Sequence, residues 1–249
     1  MKSNSNAYIL FFVFLLTLVV AVVLGSLTEV TKAKAAQNED IFNKRAILSS
    51  IEDKLGEDVK VKKLSDDEVL GLFSPENMDQ VVLDMSGNVV EGKKAEEIKI
   101  RDEKKKPEAE RLLPLYVYKG GDEPLYILSV VGNGLWDEIW GNIALESDVN
   151  TVAGAAFDHQ GETPGLGAEI KDNPKFSANF KGKKIYRGSE LVSIDVRKGG
   201  AKDPIYEVDG ISGATVTADG VAEMLDRGIK YYEPYLEQIR KGGTSMLTQ

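Results

Sequence analysis

The chain has 249 residues, 42% hydrophobic and 29% charged, enough for an anchor plus one large domain or two small ones. Its 31 Lys and Arg stand against 40 Asp and Glu, and the formal net charge of −9 opposes a dominant role in gripping nucleic-acid phosphates. Cysteine is absent and His159 is the single histidine, which excludes disulfides, thiol nucleophiles, Cys-ligated iron–sulfur or zinc centres and bis-His haem. A carboxylate-only metal site stays open in principle, but none is assigned; redox chemistry in such a chain has to come from an organic cofactor.

Residues 7–24 form an eighteen-residue run without a charge. As a helix rising about 1.5 Å per residue it covers ~27 Å, close to the thickness of a bilayer's hydrocarbon core. A cleaved signal peptide is the competing reading, with Ala33-Lys34-Ala35 as a small-residue cleavage site. The apolar run is longer than the usual ~7–15 residues of such signals, which favours an uncleaved anchor over residues 7–27 behind a short tail at 1–6. Only Lys2 precedes the span, whereas Lys32, Lys34, Lys44 and Arg45 follow it. Counted literally, those charges put the domain in the cytoplasm, although the rule weakens when a long domain follows.

Residues 38–55 place Ile41, Phe42, Ile47, Leu48, Ile51 and Leu55 at spacings near three and four, which predicts an amphipathic helix capped by Asn38 or Asp40. Val81 to Val90, broken by Ser86-Gly87-Asn88, predicts a hairpin. From Lys93 to Arg111, fourteen of nineteen residues are charged, eight basic and six acidic, a balance that predicts an exposed insertion rather than a polyanion site. Together these make residues 28–114 a segment of helix, hairpin and charged insertion.

A denser unit is expected over 115–241. Leu115–Tyr118 and Leu125–Val131 read as strands flanking the turn 119–122, followed by strands at Asn142–Leu145 and Thr151–Phe157. Strands in succession with helices at the ends predict an α+β domain, a mainly antiparallel sheet packed with helices behind the transmembrane helix. Trp136 and Trp140 are expected in the core, and His159 is expected to make local hydrogen bonds beside a Gly-rich turn. Tyr231, Tyr232 and Tyr235 are expected in helix packing or partner contacts. Residues 242–249 read as a frayed tail.

The most informative segment is Asp209-Gly210-Ile211-Ser212-Gly213-Ala214-Thr215-Val216-Thr217. It precedes a helix predicted over Asp219–Leu236, with Val221, Met224, Leu225, Gly228, Ile229 and Tyr232 on one face and Thr217 as its N-cap. Gly210, Gly213 and Ala214 let the backbone approach a ligand closely, Ser212 offers a hydroxyl, and the helix start presents free N–H groups to an anion. Asp219 should face away from such an anion. By itself such a small-residue loop is more readily a plain helix cap, because S-G-A-T has no unique chemistry.

The string D-G-I-S-G-A-T resembles the flavinylation motif of membrane flavoproteins that carry FMN on a threonine through a phosphodiester bond. A second segment, Glu162-Thr163-Pro164-Gly165-Leu166-Gly167, resembles the E-T-P-G-L-G loop of the same family. Gly132-Asn133-Gly134-Leu135-Trp136 and Gly182-Lys183-Lys184-Ile185-Tyr186 resemble two more of its segments. The family is that of the C subunits of the Na⁺-translocating NADH:quinone reductases, with the G subunit of the Rnf complex as a near relative. The resemblance is specific over residues 125–236, weak over 36–55, and leaves residues 56–114 without a matching motif.

What the resemblance implies is an FMN linked covalently to Thr215, within a cofactor-binding set formed by Asp209, Gly210, Ser212, Gly213, Ala214, Val216 and Thr217 and by Glu162, Thr163, Leu166 and Gly167. It implies no catalytic residue and no metal ligand. It further implies a protein that relays electrons from NADH toward ubiquinone without completing the reaction alone. Its partners would be the other members of the complex, a flavin transferase and membrane lipid, with no nucleic acid. The anchor would span the inner membrane once, with the domain on the periplasmic side. An Rnf-type protein or a stand-alone extracytoplasmic flavodomain is the alternative.

Overall fold

A computed structural model describes residues 4–56 and 58–242. The chain divides into two compact units, one ending at Asn43 and one beginning at Lys44. Residues 1–3 of the expected N-terminal tail and residues 243–249 of the expected frayed tail lie outside the described residues.

Helix α1 spans Asn4–Ser49. It contains a stretch long and apolar enough to cross a membrane. Within it Thr17 returns its hydroxyl to the carbonyls of Val13 and Phe14 at 3.0 and 2.9 Å, so this hydroxyl in the middle of the apolar run is satisfied within the helix. The separate helix expected from residue 38 does not exist. Residues 26–40 hold no Gly or Pro and are rich in Ala, Lys, Glu and Gln, so the chain has no reason to break before Asn38. Nor does this helix reach Leu55: it ends at Ser49, and a 3-10 turn covers Glu52–Lys54.

The second unit is built on an antiparallel meander of five strands in the order β1-β2-β3-β4-β5. They are β1 Met78–Leu83, β2 Leu113–Tyr118, β3 Leu125–Asn133, β4 Glu138–Leu145 and β5 Val152–His159. The α+β expectation therefore holds. Strand β1 precedes residue 115 yet pairs with β2 along its whole length, Met78 with Tyr118 through Leu83 with Leu113, so one sheet draws on both expected segments. The predicted hairpin shrinks to a single bridge between Leu83 and Val89 with a bond from Val90 N–H to the Val82 carbonyl at 2.8 Å.

Both faces of the sheet are buried. Leu115, Val117, Tyr126, Leu128 and Val130 face one core, while Tyr116, Tyr118, Leu125 and Ile127 face another that includes Ile47, Leu48, Ile51, Val69 and Phe73. That two-sided burial is why β2 and β3 read as continuous apolar runs instead of alternating ones. Helix α2, Asp66–Leu72, seats Val69 in the second core. It begins at a capping box in which Ser65 and Glu68 bond each other's backbone N–H groups, a start signal present in the sequence as S-x-x-E.

The 93–111 segment is not a free insertion. Most of its side chains are exposed, but 3-10 turns at Ala95–Glu97 and Glu108–Glu110 flank helix α3, Ile100–Glu103, and Ala95 and Glu103 are buried. Glu103 accepts from the Leu112 N–H at 3.0 Å and pairs with Lys106 at 2.8 Å, so the local charges are used to hold the segment down.

After β5 come short helices α4, Glu169–Asp172, and α5, Pro174–Ala178. The antiparallel pair β6–β7 (Tyr186–Arg187 and Glu190–Leu191) and the parallel pair β8–β9 (Asp195–Arg197 and Glu207–Asp209) follow. Helix α6 spans Thr215–Gly242, longer at both ends than predicted. All six residues assigned to its apolar face are buried. Tyr232 and Tyr235 are buried with them, and the Tyr232 hydroxyl donates to the Pro114 or Ser129 carbonyl, each 2.9 Å away.

Candidate functional site

Helix α6 lies directly on β3 because glycines remove side chains where the two meet. A Cβ at Gly132 would sit 2.6 Å from Met224 Cβ, one at Gly228 would sit 2.6 Å from Val130 Cγ1, and one at Gly220 would run into the Asn133 carbonyl oxygen. This close approach delivers the start of α6 to the turn between β3 and β4.

The helix starts at Thr215, two residues before the cap expected at Thr217. The Ala214 N–H closes a turn on the Ile211 carbonyl at 3.2 Å, and the Ala214 carbonyl then accepts the first helical bond from Ala218 at 3.0 Å. Gly213 takes a φ of 81°, a left-handed conformation that favours glycine, and its bare Cα faces Leu166: a Cβ there would meet Leu166 Cδ2 at 2.9 Å. Thr215 is half-buried at the positive end of a 28-residue helix, and its hydroxyl has no protein partner among the described residues. Ser212, Gly213 and Asp219 are exposed.

Thr217 does not cap the helix. It is buried in the first turn, and its Oγ1 donates to Glu162 Oε2 at 2.6 Å. Glu162 is 4% exposed, and its other oxygen accepts from the Trp136 N–H at 2.9 Å. Glu162 thereby joins three segments: its own loop, the β3–β4 turn and the start of α6. Gly134 and Gly167 flank this carboxylate, and a Cβ on either would collide with one of its oxygens. His159 Nδ1 accepts from the Glu162 N–H at 3.1 Å, the local hydrogen bond predicted for that histidine.

The loop from residue 160 to 168 is closed by bonds from the Leu166 and Ala168 N–H groups to the Thr163 carbonyl, both 3.1 Å. The ion pair between Lys171 of α4 and the buried Asp158 of β5, 2.8 Å long, clamps its base. Thr163 Oγ1 accepts from Trp136 Nε1 at 3.1 Å.

Trp136 is not a core residue. It is 69% exposed, and with Leu135, Leu166 and Val216 it belongs to the exposed large apolar side chains of the second unit. The hydrogen bond to Thr163, the Leu166–Gly213 approach and the chain continuity to Val216 place these groups around one region at the head of α6. Trp140 is only partly buried, with the Arg101 guanidinium 4.3 Å above its ring.

Asp209 ends β9, and its Oδ1 accepts from the Ala201 N–H at 2.7 Å while the Gly210 N–H bonds the Arg197 carbonyl at 2.8 Å. These bonds fix the approach to the loop 210–214. Nearby, Glu207 is held at a pKa of about 2 by the N–H groups of Asp203 and Lys202 and by Arg197. No group of three or more acidic or histidine side chains suited to a metal occurs among the described residues.

The arrangement suits a phosphate ester with a flat apolar ring. Small residues open the backbone, the first-turn N–H groups stabilise a negative charge without a cation, and exposed apolar side chains lie beside them. Sequence reasoning missed that Glu162 turns inward and that Trp136 is exposed. The first depends on a partner in α6, and a Trp after G-x-G-L carries no local sign of its exposure.

Residues 134–230 match the FMN-binding domain family. The C subunit of Na(+)-translocating NADH-quinone reductase from Vibrio anguillarum is 44% identical over 133 residues, and that from Neisseria meningitidis serogroup A is 39% identical over 133 residues. These matches cover 52% of this chain and 52% and 51% of the relatives, so they span about half the relatives' length. A crystal structure of the C subunit from Parabacteroides distasonis superposes with a TM-score of 0.71 at 37% identity, covering 82% of this chain and 96% of that one. NqrC of Shewanella oneidensis shares the fold, with a TM-score of 0.68 at 22% identity over 82% of this chain and 99% of that one.

Proposed function

The chain belongs to the family of C subunits of the Na(+)-translocating NADH-quinone reductases, and from that membership we propose that it is the flavin-carrying electron-transfer component of such a reductase. FMN is esterified through its phosphate to Thr215. The observation that carries this reading is the placement of Thr215: first residue of α6, hydroxyl without a protein partner among the described residues, beside exposed Leu166, Val216 and Trp136.

Bound FMN supplies the capacity to accept and release electrons. The residues of this chain hold it. Gly210, Ser212, Gly213 and Ala214 leave room for the phosphate, and the N–H groups at the start of α6 stabilise its remaining negative charge. Thr163, Leu166 and Val216 offer the ring a mixed apolar and hydroxylic surface, while Glu162, Gly167 and Thr217 act from behind by fixing that surface. Asp209 fixes the loop's entry and is part of the segment a flavin transferase reads. With FMN held there the chain would serve as one carrier between other members of the complex and ubiquinone, so no complete reaction is expected from the chain alone. Helix α1 anchors the protein in the inner membrane, with the domain on the periplasmic side.

The test is the mass of protein purified from native membranes, with peptide mapping across residues 209–227. An added FMN less one water on Thr215, absent from Thr215→Ala, supports the reading. An unmodified Thr215 in cells with an active flavin transferase refutes it. Co-purification with multispanning partner proteins separates the reductase from a stand-alone flavodomain.

A further inference from the structure

The charged segment has a use that its composition does not reveal. Helix α3 and the residue that follows it present Arg101 and Lys104 one turn apart, and between them they hold three strand ends. Lys104 Nζ donates to the Gly132 carbonyl at 3.1 Å and to Asn133 Oδ1 at 2.5 Å, at the end of β3. It also lies 3.4 Å from Glu138 Oε1, at the start of β4. Arg101 Nε donates to Glu138 Oε2 at 2.9 Å, and its Nη2 donates to Gln160 Oε1 at 2.8 Å, just past the end of β5. Gln160 in turn bonds the Glu138 carbonyl through its N–H at 2.9 Å.

Both site loops spring from these strand ends. The turn between β3 and β4 carries Trp136, and the segment after Gln160 carries Glu162 and Thr163. The α6 backbone also comes close to Asn133: a Cβ on Gly220 would run into the Asn133 carbonyl oxygen. A second brace closes the arrangement: Arg111 Nη2 donates to the Lys104 carbonyl at 3.1 Å and its Nη1 to the Tyr231 hydroxyl of α6 at 3.2 Å.

We propose that Arg101 and Lys104 are positioning residues for the flavin site, setting the relative placement of Trp136 and Glu162 through Glu138, Asn133 and Gln160. The proposal rests on the flavin reading above for its functional consequence, but not for its geometry. Glu138 is held by both cations and its side chain is mostly covered, whereas Arg101 is more exposed, so the geometry of the shared contacts and not their electrostatic strength carries the argument. Arg101 additionally stacks on Trp140, which a lysine would not reproduce.

The experiment uses the full-length protein in detergent and the double variant Arg101→Gln/Lys104→Gln. Amide exchange read by mass on the peptide covering residues 133–140 reports the Trp136 N–H bond to Glu162, with or without flavin. The expected result is exchange about tenfold faster in that peptide, with peptides of β2 unchanged. In flavin-loaded protein the midpoint potential should also move, and Arg101→Lys should restore it only in part. Unchanged exchange at residues 133–140, or an unchanged potential where exchange has risen, overturns the proposal. If the double variant does not fold, Lys104→Gln carries the same comparison. Absence of FMN from the wild type would sink the flavin reading while leaving the exchange result to decide the geometry.

Discussion

Thr217 Oγ1 and Glu162 Oε2, 55 residues apart in sequence, meet at 2.6 Å in the buried base of the site. The bond ties the first turn of α6 to the loop between β5 and α4, and through the same carboxylate to the Trp136 N–H. If FMN is carried at this site as proposed, the Glu162 carboxylate would disfavour its anionic reduced form, so Glu162→Gln should raise the midpoint potential, by roughly 30 mV if the coupling is near 1.4 kcal/mol for two electrons. Potentiometric titration of wild type and Glu162→Gln checks it, and an unchanged potential would remove Glu162 from the tuning of the flavin. Thr217→Val should loosen the site, and Thr217→Ser should preserve it.

Gly167 is pinned between the two members of that pair. A Cβ there would collide with Glu162 Oε2 and sit 2.6 Å from Thr217 Oγ1. Gly167→Ala should therefore lower stability by about 2 kcal/mol, the cost of leaving a buried carboxylate short of a partner, and should reduce flavin attachment. Gly165→Ala makes an informative control: no atom lies within 4 Å of its Cβ position, so its cost is confined to a φ of 74°. Urea unfolding and in-gel flavin fluorescence of the two variants should separate them.

Tyr232 supplies one hydroxyl to a place where two carbonyls, of Pro114 and Ser129, converge on it. Burial pushes its phenol far above the usual range for tyrosine. Tyr232→Phe should cost about 1–2 kcal/mol in denaturant unfolding, because the buried carbonyls lose their donor while the ring packing stays. A loss below ~0.5 kcal/mol would mean that water enters in its place.

Ser193 is a residue whose removal should help. Its φ is 58°, and its buried hydroxyl has no hydrogen-bond partner among the described residues. Ser193→Gly relieves the left-handed strain and the unsatisfied oxygen together, against some added freedom in the unfolded chain. The net expectation is a gain of about 1 kcal/mol, visible as a higher thermal midpoint.

The absence of cysteine gives a clean test of sidedness. Lys198 is exposed between β8 and β9, and Lys198→Cys introduces a single thiol. An impermeant maleimide added to spheroplasts should label it if the domain is periplasmic. Labelling that requires lysis of the cells would place the domain on the cytoplasmic side, in line with the charge count around the anchor.

Local pattern was enough to set much of this molecule. An eighteen-residue uncharged run makes a helix because its backbone groups pair within the segment, and the spacing from Val221 to Tyr232 marks the buried face of α6 because helical periodicity is local. The small residues of 210–214 likewise mark an open helix start from local sequence, but by local chemistry alone they fit a plain cap more readily than an anion site. Tertiary structure decided the rest. Glu162 and Trp136 sit in loops whose side-chain directions follow from partners in α6 and at Thr163, and no periodicity reports a partner tens of residues away. The charges of residues 93–111 look like a solvated run, because composition cannot tell a lysine in water from Lys104 on the Gly132 carbonyl. Only when the meander brings the ends of β3, β4 and β5 together can two side chains one helical turn apart reach all three.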